Sequence, residues 1–273
     1  MSKLIKSELF RIKNSGAFLS SIIIIFIITI FICITQYNYI NTDNVKVGYD
    51  IIWFFSAFIG FFIAIFTSLH VGSDFSDRTI NYKIISGYSR PKIYLSYLIT
   101  CIIEGLICLF IYMFIILIFG LFFLEPSGLG TIEILKLLGE VILLTISFTS
   151  LFTLLSVLFA DKTLTVVIST IIVFGLSILS FLMLEHLKEP EYVNQTIMAD
   201  NGLVVERVKN AKYLTGTKRK LYEVTNDILP SSIAWRISDL SILSRKYVVY
   251  YMIVFIVSCN LIGISILNKK QLR

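Results

Sequence analysis

Glu104 and Glu140 are carboxylates set inside long apolar stretches of a 273-residue chain, and His70 and Asp74 stand four apart at the end of another such stretch. A charge near the centre of a bilayer costs about 2.5–3.5 kcal/mol on insertion scales, so an ionisable residue there is a functional candidate by default. Glu104 has two readings: a buried polar contact with neighbouring helices, or a residue lining a translocation pathway. Glu140 lies within a turn of the end of its stretch and reads as interfacial. His70 and Asp74 would share one helix face, which is the spacing of a two-ligand metal site. The other histidine, His186, falls on the opposite side of the membrane in the topology below, so no metal site is expected. No nucleophile elbow, nucleophile–base pairing or H-E-x-x-H occurs, and no catalytic residues are expected. There is no G-x-x-x-x-G-K-[ST] either, since the run Thr215–Lys220 (TGTKRK) does not fit that spacing. Energised work would draw on ATP hydrolysed by another subunit, with no cofactor bound by this chain.

Six apolar runs must position these residues. The chain is 56% hydrophobic and 15% charged, where soluble domains run about 45–50% and about 25%. About 20 apolar residues in a helix cross about 30 Å of hydrocarbon, and a helix satisfies its own backbone groups in lipid. The expected fold is an all-α integral membrane protein with six transmembrane helices, near Ser15–Thr35, Ile51–Val71, Ile93–Leu124, Leu138–Ala160, Leu164–Leu184 and Tyr247–Leu267. The first run is too long for a signal-peptide core and no small-residue cleavage site follows it, so it is expected to stay attached. The third run would be about 48 Å long at ~1.5 Å per residue, so its first turns project from the bilayer or the helix tilts.

Basic residues in short loops set the orientation. With the N-terminus inside, the inner segments hold twelve: Lys3, Lys6, Arg11, Lys13, Arg78, Lys83, Arg90, Lys92, Lys162, Lys269, Lys270 and Arg273. The two short outer loops hold Lys46 and Lys136. Both termini are therefore expected in the cytosol, in a multi-pass plasma-membrane protein. The ten Lys and Arg between Glu185 and Lys246 do not oppose this, because long segments translocate largely regardless of charge. The net charge of +6 is mostly this bias and does not argue for nucleic acid. All four cysteines (Cys33, Cys101, Cys108, Cys259) fall in the runs and read as small buried hydrophobes.

Three polar segments punctuate the runs. At the N-terminus, Ile5, Leu9 and Ile12 make one helical stripe with Lys6, Glu8 and Lys13 off it; this reads as an interfacial helix, or else as a plain charged anchor. Between the second and third runs lies DFSDRTINYKIISGYSRPK, Asp74 to Lys92. Asp74 as N-cap with Asp77 at N3 starts a helix of roughly three turns near 74–88. Ile80, Ile84 and Ile85 form its apolar stripe, with Arg78 and Lys83 beside it. Gly87 stops it, and Ser89 with Pro91 opens the next helix. The stretch 185–246 is expected to be a small α+β extracellular cap. It has a hairpin turn at Asn201–Gly202 and one or two short helices, with Leu221, Val224 and Ile228 at helical spacing before Pro230. The cap should pack on the bundle or on a second copy, and its excision should leave the six-helix bundle folded. Its cluster Lys209, Lys212, Lys218, Arg219 and Lys220 reads as a solvated loop face, or as a surface for anionic headgroups or acidic substrates. The resulting division is 1–184 for the first five spans and the insert, 185–246 for the cap, and 247–273 for the last span and C-terminus.

Taken together, these features resemble the ABC type-2 exporter permeases of low-GC Gram-positive bacteria. The matching features are six spans with both ends inside, the N-terminal interfacial helix, the insert after span two and the enlarged connection before span six. In that family the insert has an acidic start, a G-T or R-T step, a basic residue and then G-x-S-R. Here those positions are Asp74, Asp77, Arg78–Thr79, Lys83 and Gly87–Tyr88–Ser89–Arg90. Arg78 stands where many members have glycine. YLTGTKRKLYEVTNDILP also looks like a segment common in these permeases.

The resemblance implies a half-transporter. Two permease copies, identical or related, would pair with two separate ATPase subunits that hold ATP and magnesium. The insert would be the coupling helix, with Phe75, Asp77, Arg78, Thr79, Ile80 and Lys83 at the contact. Arg78 and Lys83 would meet acidic groups, and Phe75 and Ile80 would fill an apolar groove. Relatives of this size are similar to exporters of amphipathic or antimicrobial peptides, of the bacteriocin self-immunity, bacitracin-resistance and phenol-soluble-modulin types. A wall rich in Ile, Leu and Phe suits such cargo, and it also suits lipid or drug. The rival class is a stand-alone membrane immunity or peptide-binding protein with no energy coupling, which leaves Asp74–Lys92 without a purpose. A membrane enzyme would need a convergent polar site around Glu104.

Overall fold

The computed structural model describes residues 1–43, 48–125, 128–199, 202–240 and 247–270. Lys46, Asn201 and Arg273, on which expectations were placed, lie outside the described residues. In order come α1 (Ser2–Lys13), α2 (Gly16–Asp43), a 3-10 turn (Tyr49–Trp53), α3 (Ser56–Ser76), α4 (Thr79–Ile85), α5 (Arg90–Phe123), α6 (Thr131–Phe159) and α7 (Lys162–Lys188). There follow β1 (Tyr192–Ala199), β2 (Gly202–Lys209), α8 (Gly216–Ile228), α9 (Pro230–Asp239) and α10 (Val248–Lys269). Six helices are long and apolar enough to cross a membrane: α2, α3 with its 3-10 turn, α5, α6, α7 and α10. Each of the six expected runs falls on one of them, and the chain is compatible with a multi-pass membrane protein.

The bundle has a centre and a wall. In their most apolar windows α3 and α6 are 61% and 67% buried, against at most 28% for the other four, so this pair is the centre. The outer helices are apolar all round, as suits a lipid solvent. Close approach at the centre rests on glycine. A side chain at Gly60 would stand 2.8 Å from the Phe148 ring of α6, and one at Gly72 would stand 2.9 Å from the Lys162 backbone at the start of α7. Small residues let membrane helices touch where apolar attraction is no help.

The insert is shorter than expected and starts later. α3 runs on to Ser76, so Asp74 lies in its last turn and is not an N-cap. α4 has seven residues, and Asp77 ends α3 with its amide donating to the Ser73 carbonyl at 2.8 Å. Arg78 makes the corner in the left-handed region at φ 56°. Asp74 is instead buried among four side-chain donors, Arg11, Thr79, Lys83 and Tyr97. Gly87 does stop α4, at φ 85°. Ser89 takes the N-cap position of α5 with Pro91 in the first turn, but its hydroxyl makes no capping bond.

Among the described residues after α7, the hairpin and α9 pack differently. β1 and β2 form an antiparallel hairpin in register from Tyr192↔Lys209 to Ala199↔Gly202. α9, by contrast, is wedged among α3, α6 and α7. Ser56 donates to the Ala234 carbonyl at 2.9 Å, the Ser180 and Ser231 hydroxyls bond at 2.6 Å, and Trp235 packs on Phe181. Excising the whole segment would remove these contacts along with the hairpin. Ser231, Ser232 and Ala234 are small enough to bring α9 against the spans, and they carry no large apolar side chain that would mark the contact in the sequence.

Candidate functional site: a buried charge cluster beneath the insert helix

α1 buries Leu4, Glu8 and Ile12. The expected stripe of Ile5, Leu9 and Ile12 is therefore rotated, and Glu8, placed off the apolar face, is on the buried one. Its side chain is 1% exposed. Arg11, one turn on, projects to the same side. The end of α3 supplies His70 and Asp74, α4 supplies Lys83, and α5 supplies Tyr97. Four elements thus meet at one end of the bundle.

Asp74 is the hub. Arg11 and Lys83 each donate to it, one to each oxygen. Thr79 Oγ1 donates to Oδ1 at 2.6 Å, and Tyr97 Oη donates to Oδ2 at 2.6 Å. Glu8 pairs with Lys83 through Oε1. Its Oε2 lies 3.1 Å from Arg11 Nη2 and 3.3 Å from His70 Nε2. Arg11 also donates to the His70 carbonyl at 3.1 Å, and Lys83 stands 4.6 Å above the Tyr97 ring. Burial raises the Glu8 carboxyl, but the His70 hydrogen bond and the Lys83 and Arg11 charges outweigh it and hold it at about 2. Two carboxylates face Arg11 and Lys83; burial lowers the Lys83 ammonium to about 8, and with it protonated the cluster is balanced in charge. Buried ion pairs are weak sources of net stability but strong determinants of register, because removing one partner strands the other. His70 and Asp74 do share a helix face, as their spacing requires, and both are turned toward Arg11.

The cluster reverses the assignment of faces on the insert. Phe75 and Ile80, expected in a partner's groove, are buried in the chain's own second core with Val71, Ile93, Tyr94, Tyr97 and Leu267. Lys83, expected at a partner's acid, is held by Glu8 and Asp74, and Thr79 is half-buried against Asp74. Asp77 and Arg78 are exposed. So are Tyr82 and Ile85, at 70% and 80%. Tyr82 and Ile85 follow the i, i+3 spacing of one face of α4, and Arg78 stands at the corner before it. The expected apolar stripe of Ile80, Ile84 and Ile85 is thus split, with Ile80 buried and Ile85 outside.

Other basic residues at this end cap helices. Arg90 donates to the carbonyls of Leu267, Asn268 and Lys270 at 2.6–2.9 Å, closing α10. Lys270 donates to Val157 and Leu158 at 2.7 and 2.9 Å, closing α6. Cations at helix C-termini satisfy free carbonyls and complement the dipole.

Glu104 lies apart, 4% exposed in the middle of α5. Its Oε2 has no hydrogen-bond partner among the described residues. Beside it, Gly105 admits Thr145 of α6: a side chain at that glycine would stand 2.9 Å from the threonine methyl. Glu140 is half-buried on α6. No protein-family model matches this chain, and no curated protein matches it.

Proposed function

We propose that this chain is the permease of an ABC exporter, moved by ATP and magnesium on a separate ATPase subunit. One observation carries the reading. α4 stands between the second and third candidate spans, with one face tied to α1, α3 and α5 through Glu8, Asp74 and Tyr97. The other face offers Asp77, Arg78, Tyr82 and Ile85 at the surface. A push on that outer face reaches three helices through the charge cluster, which is what a coupling element must do.

The ATPase contact is assigned to Arg78, Tyr82 and Ile85, with Asp77 at its edge. Arg and Tyr are the types that dominate interface energetics. The excess of Lys and Arg at this end supports a cytosolic position for α1, α4 and the C-terminus in a bacterial plasma membrane. The hairpin end is then extracellular. Two permease copies work together, and amphipathic peptide is the cargo class, although the apolar wall suits lipid or drug as well.

The test is a mild-detergent pull-down of the tagged chain from its native host. A near-stoichiometric ATPase, lost in Arg78→Glu and in a Tyr82→Ala/Ile85→Ala double variant that still insert, is the expected result. A solitary protein across several detergents overturns it in favour of a stand-alone peptide-binding protein.

A further inference from the structure

α8 is turned inside out relative to a helix that faces water. Its exposed face carries Leu221, Val224 and Ile228, at 63%, 47% and 38%. Its inner face carries Arg219, Glu223, Asn226 and Asp227. Asn226 and Asp227 are buried, Asp227 accepts from Arg236 of α9 at 2.8 Å, and Arg219 donates to Glu223 at 3.2 Å over the Tyr213 ring. A water-facing amphipathic helix has the opposite arrangement. Lys218 and Lys220, both exposed, flank the apolar stripe on either side.

We propose that α8 lies in the bilayer interface, with Leu221, Val224 and Ile228 below the headgroups and Lys218 and Lys220 binding the phosphates of anionic phospholipids.

Its depth follows from what it packs against. α8 rests on α7, α9 and α10, and Tyr222 meets His186 in the last turn of α7. α7 has 27 residues. A helix of that length is about 40 Å long and overruns about 30 Å of hydrocarbon, so its last turns lie among headgroups. α9 sets the same level, since its Ser231 bonds Ser180 two turns before the end of α7. An apolar stripe at that level meets acyl chains. Lysines on both flanks reach up to phosphate while their methylene stems cover the stripe's edges. Arg219 is held by Glu223 and Tyr213, which leaves the two lysines as the charges of α8 that select the headgroup. This reading does not depend on an ATPase partner.

The test places a bimane label at Val224→Cys in the full-length chain, in nanodiscs of phosphatidylcholine with phosphatidylglycerol. Quenching by shallow doxyl lipid with shielding from iodide is the expected result. Short-chain phosphatidylglycerol should bind about thirty-fold tighter than short-chain phosphatidylcholine, taking roughly fivefold per lysine. Lys218→Gln/Lys220→Gln should level the two. Iodide quenching without lipid quenching shows a solvated face and overturns the proposal. Shielding from both shows a face covered by protein, a second copy or a bound peptide, and overturns it too. Equal affinity for the two lipids removes the headgroup site. Hydrogen exchange on the unsubstituted chain guards against a disruptive label: Leu221–Ile228 should exchange more slowly with phosphatidylglycerol than without, and equal rates overturn the proposal.

Discussion

Glu8 in the second turn of α1 is ion-paired with Lys83 of α4, inside a pocket that leaves the two side chains 1% and 14% exposed. The pair ties the helix that precedes the first candidate span to the helix that follows the second. Asp74 and Arg11 complete the charge balance, so no member of the cluster is neutralised alone without leaving an opposite charge buried.

Lys83→Met should therefore destabilise the chain by about 3–5 kcal/mol, the cost of stranding a buried charge. Glu8→Gln/Lys83→Met should lose less than the sum of the two single variants, because the residues share one network. Thermal unfolding in detergent, followed by tryptophan fluorescence, measures both. Strict additivity would show that the pair is not coupled.

The pH dependence has a definite sign. The Glu8 carboxyl is held at about 2 in the folded chain against an ordinary 4.5. It stabilises the fold fully above about pH 4.5, and that contribution, roughly 3 kcal/mol, is lost as pH falls toward 2. Midpoints measured between pH 6 and pH 3 should fall for the wild type. For Glu8→Gln they should fall less, and the difference between the two curves isolates this group.

Arg78 separates backbone from surface chemistry. Its φ of 56° is a conformation that glycine adopts freely. Arg78→Gly should stabilise the corner by about 1 kcal/mol, while removing a side chain from the proposed docking face. A variant that melts higher yet captures less ATPase is the expected pattern. A lower melting point would mean that the arginine side chain itself holds the corner.

α9 and the hairpin should respond oppositely. Ile233 is 1% exposed in the main core, so Ile233→Ala should cost about 2–5 kcal/mol. Replacing residues 192–209 by a short Gly-Ser link should leave the unfolding midpoint within a few degrees, because β1 and β2 pair with each other. Size-exclusion profiles and unfolding midpoints of the two variants check this. A collapsed hairpin deletion would show that the strands brace the bundle.

Hydropathy determined the number of membrane-length helices and their places, because about 20 apolar residues in a row have one stable arrangement in lipid and need no information from elsewhere. Local chemistry also determined where α4 stops, at Gly87, and where α5 starts, at Ser89 and Pro91. The site was legible only in outline. The insert was found and several of its residues were named; Asp77 and Arg78 are at the surface, whereas Phe75, Ile80 and Lys83 face inward instead of outward. What decides the face of α4 is Asp74, and what decides the place of Asp74 is Arg11, whose partner lies 63 residues away in the chain. Two apolar stripes on α4 are equally good as local patterns. Only the tertiary structure, which brings α1, α3 and α5 around a buried carboxylate that must be satisfied, turns Ile80 and Lys83 inward and leaves Tyr82 and Ile85 outside. The same reason explains the place of α9: a short helix was expected there, but its small polar residues give no sign of burial until three neighbouring helices supply the partners that make it favourable.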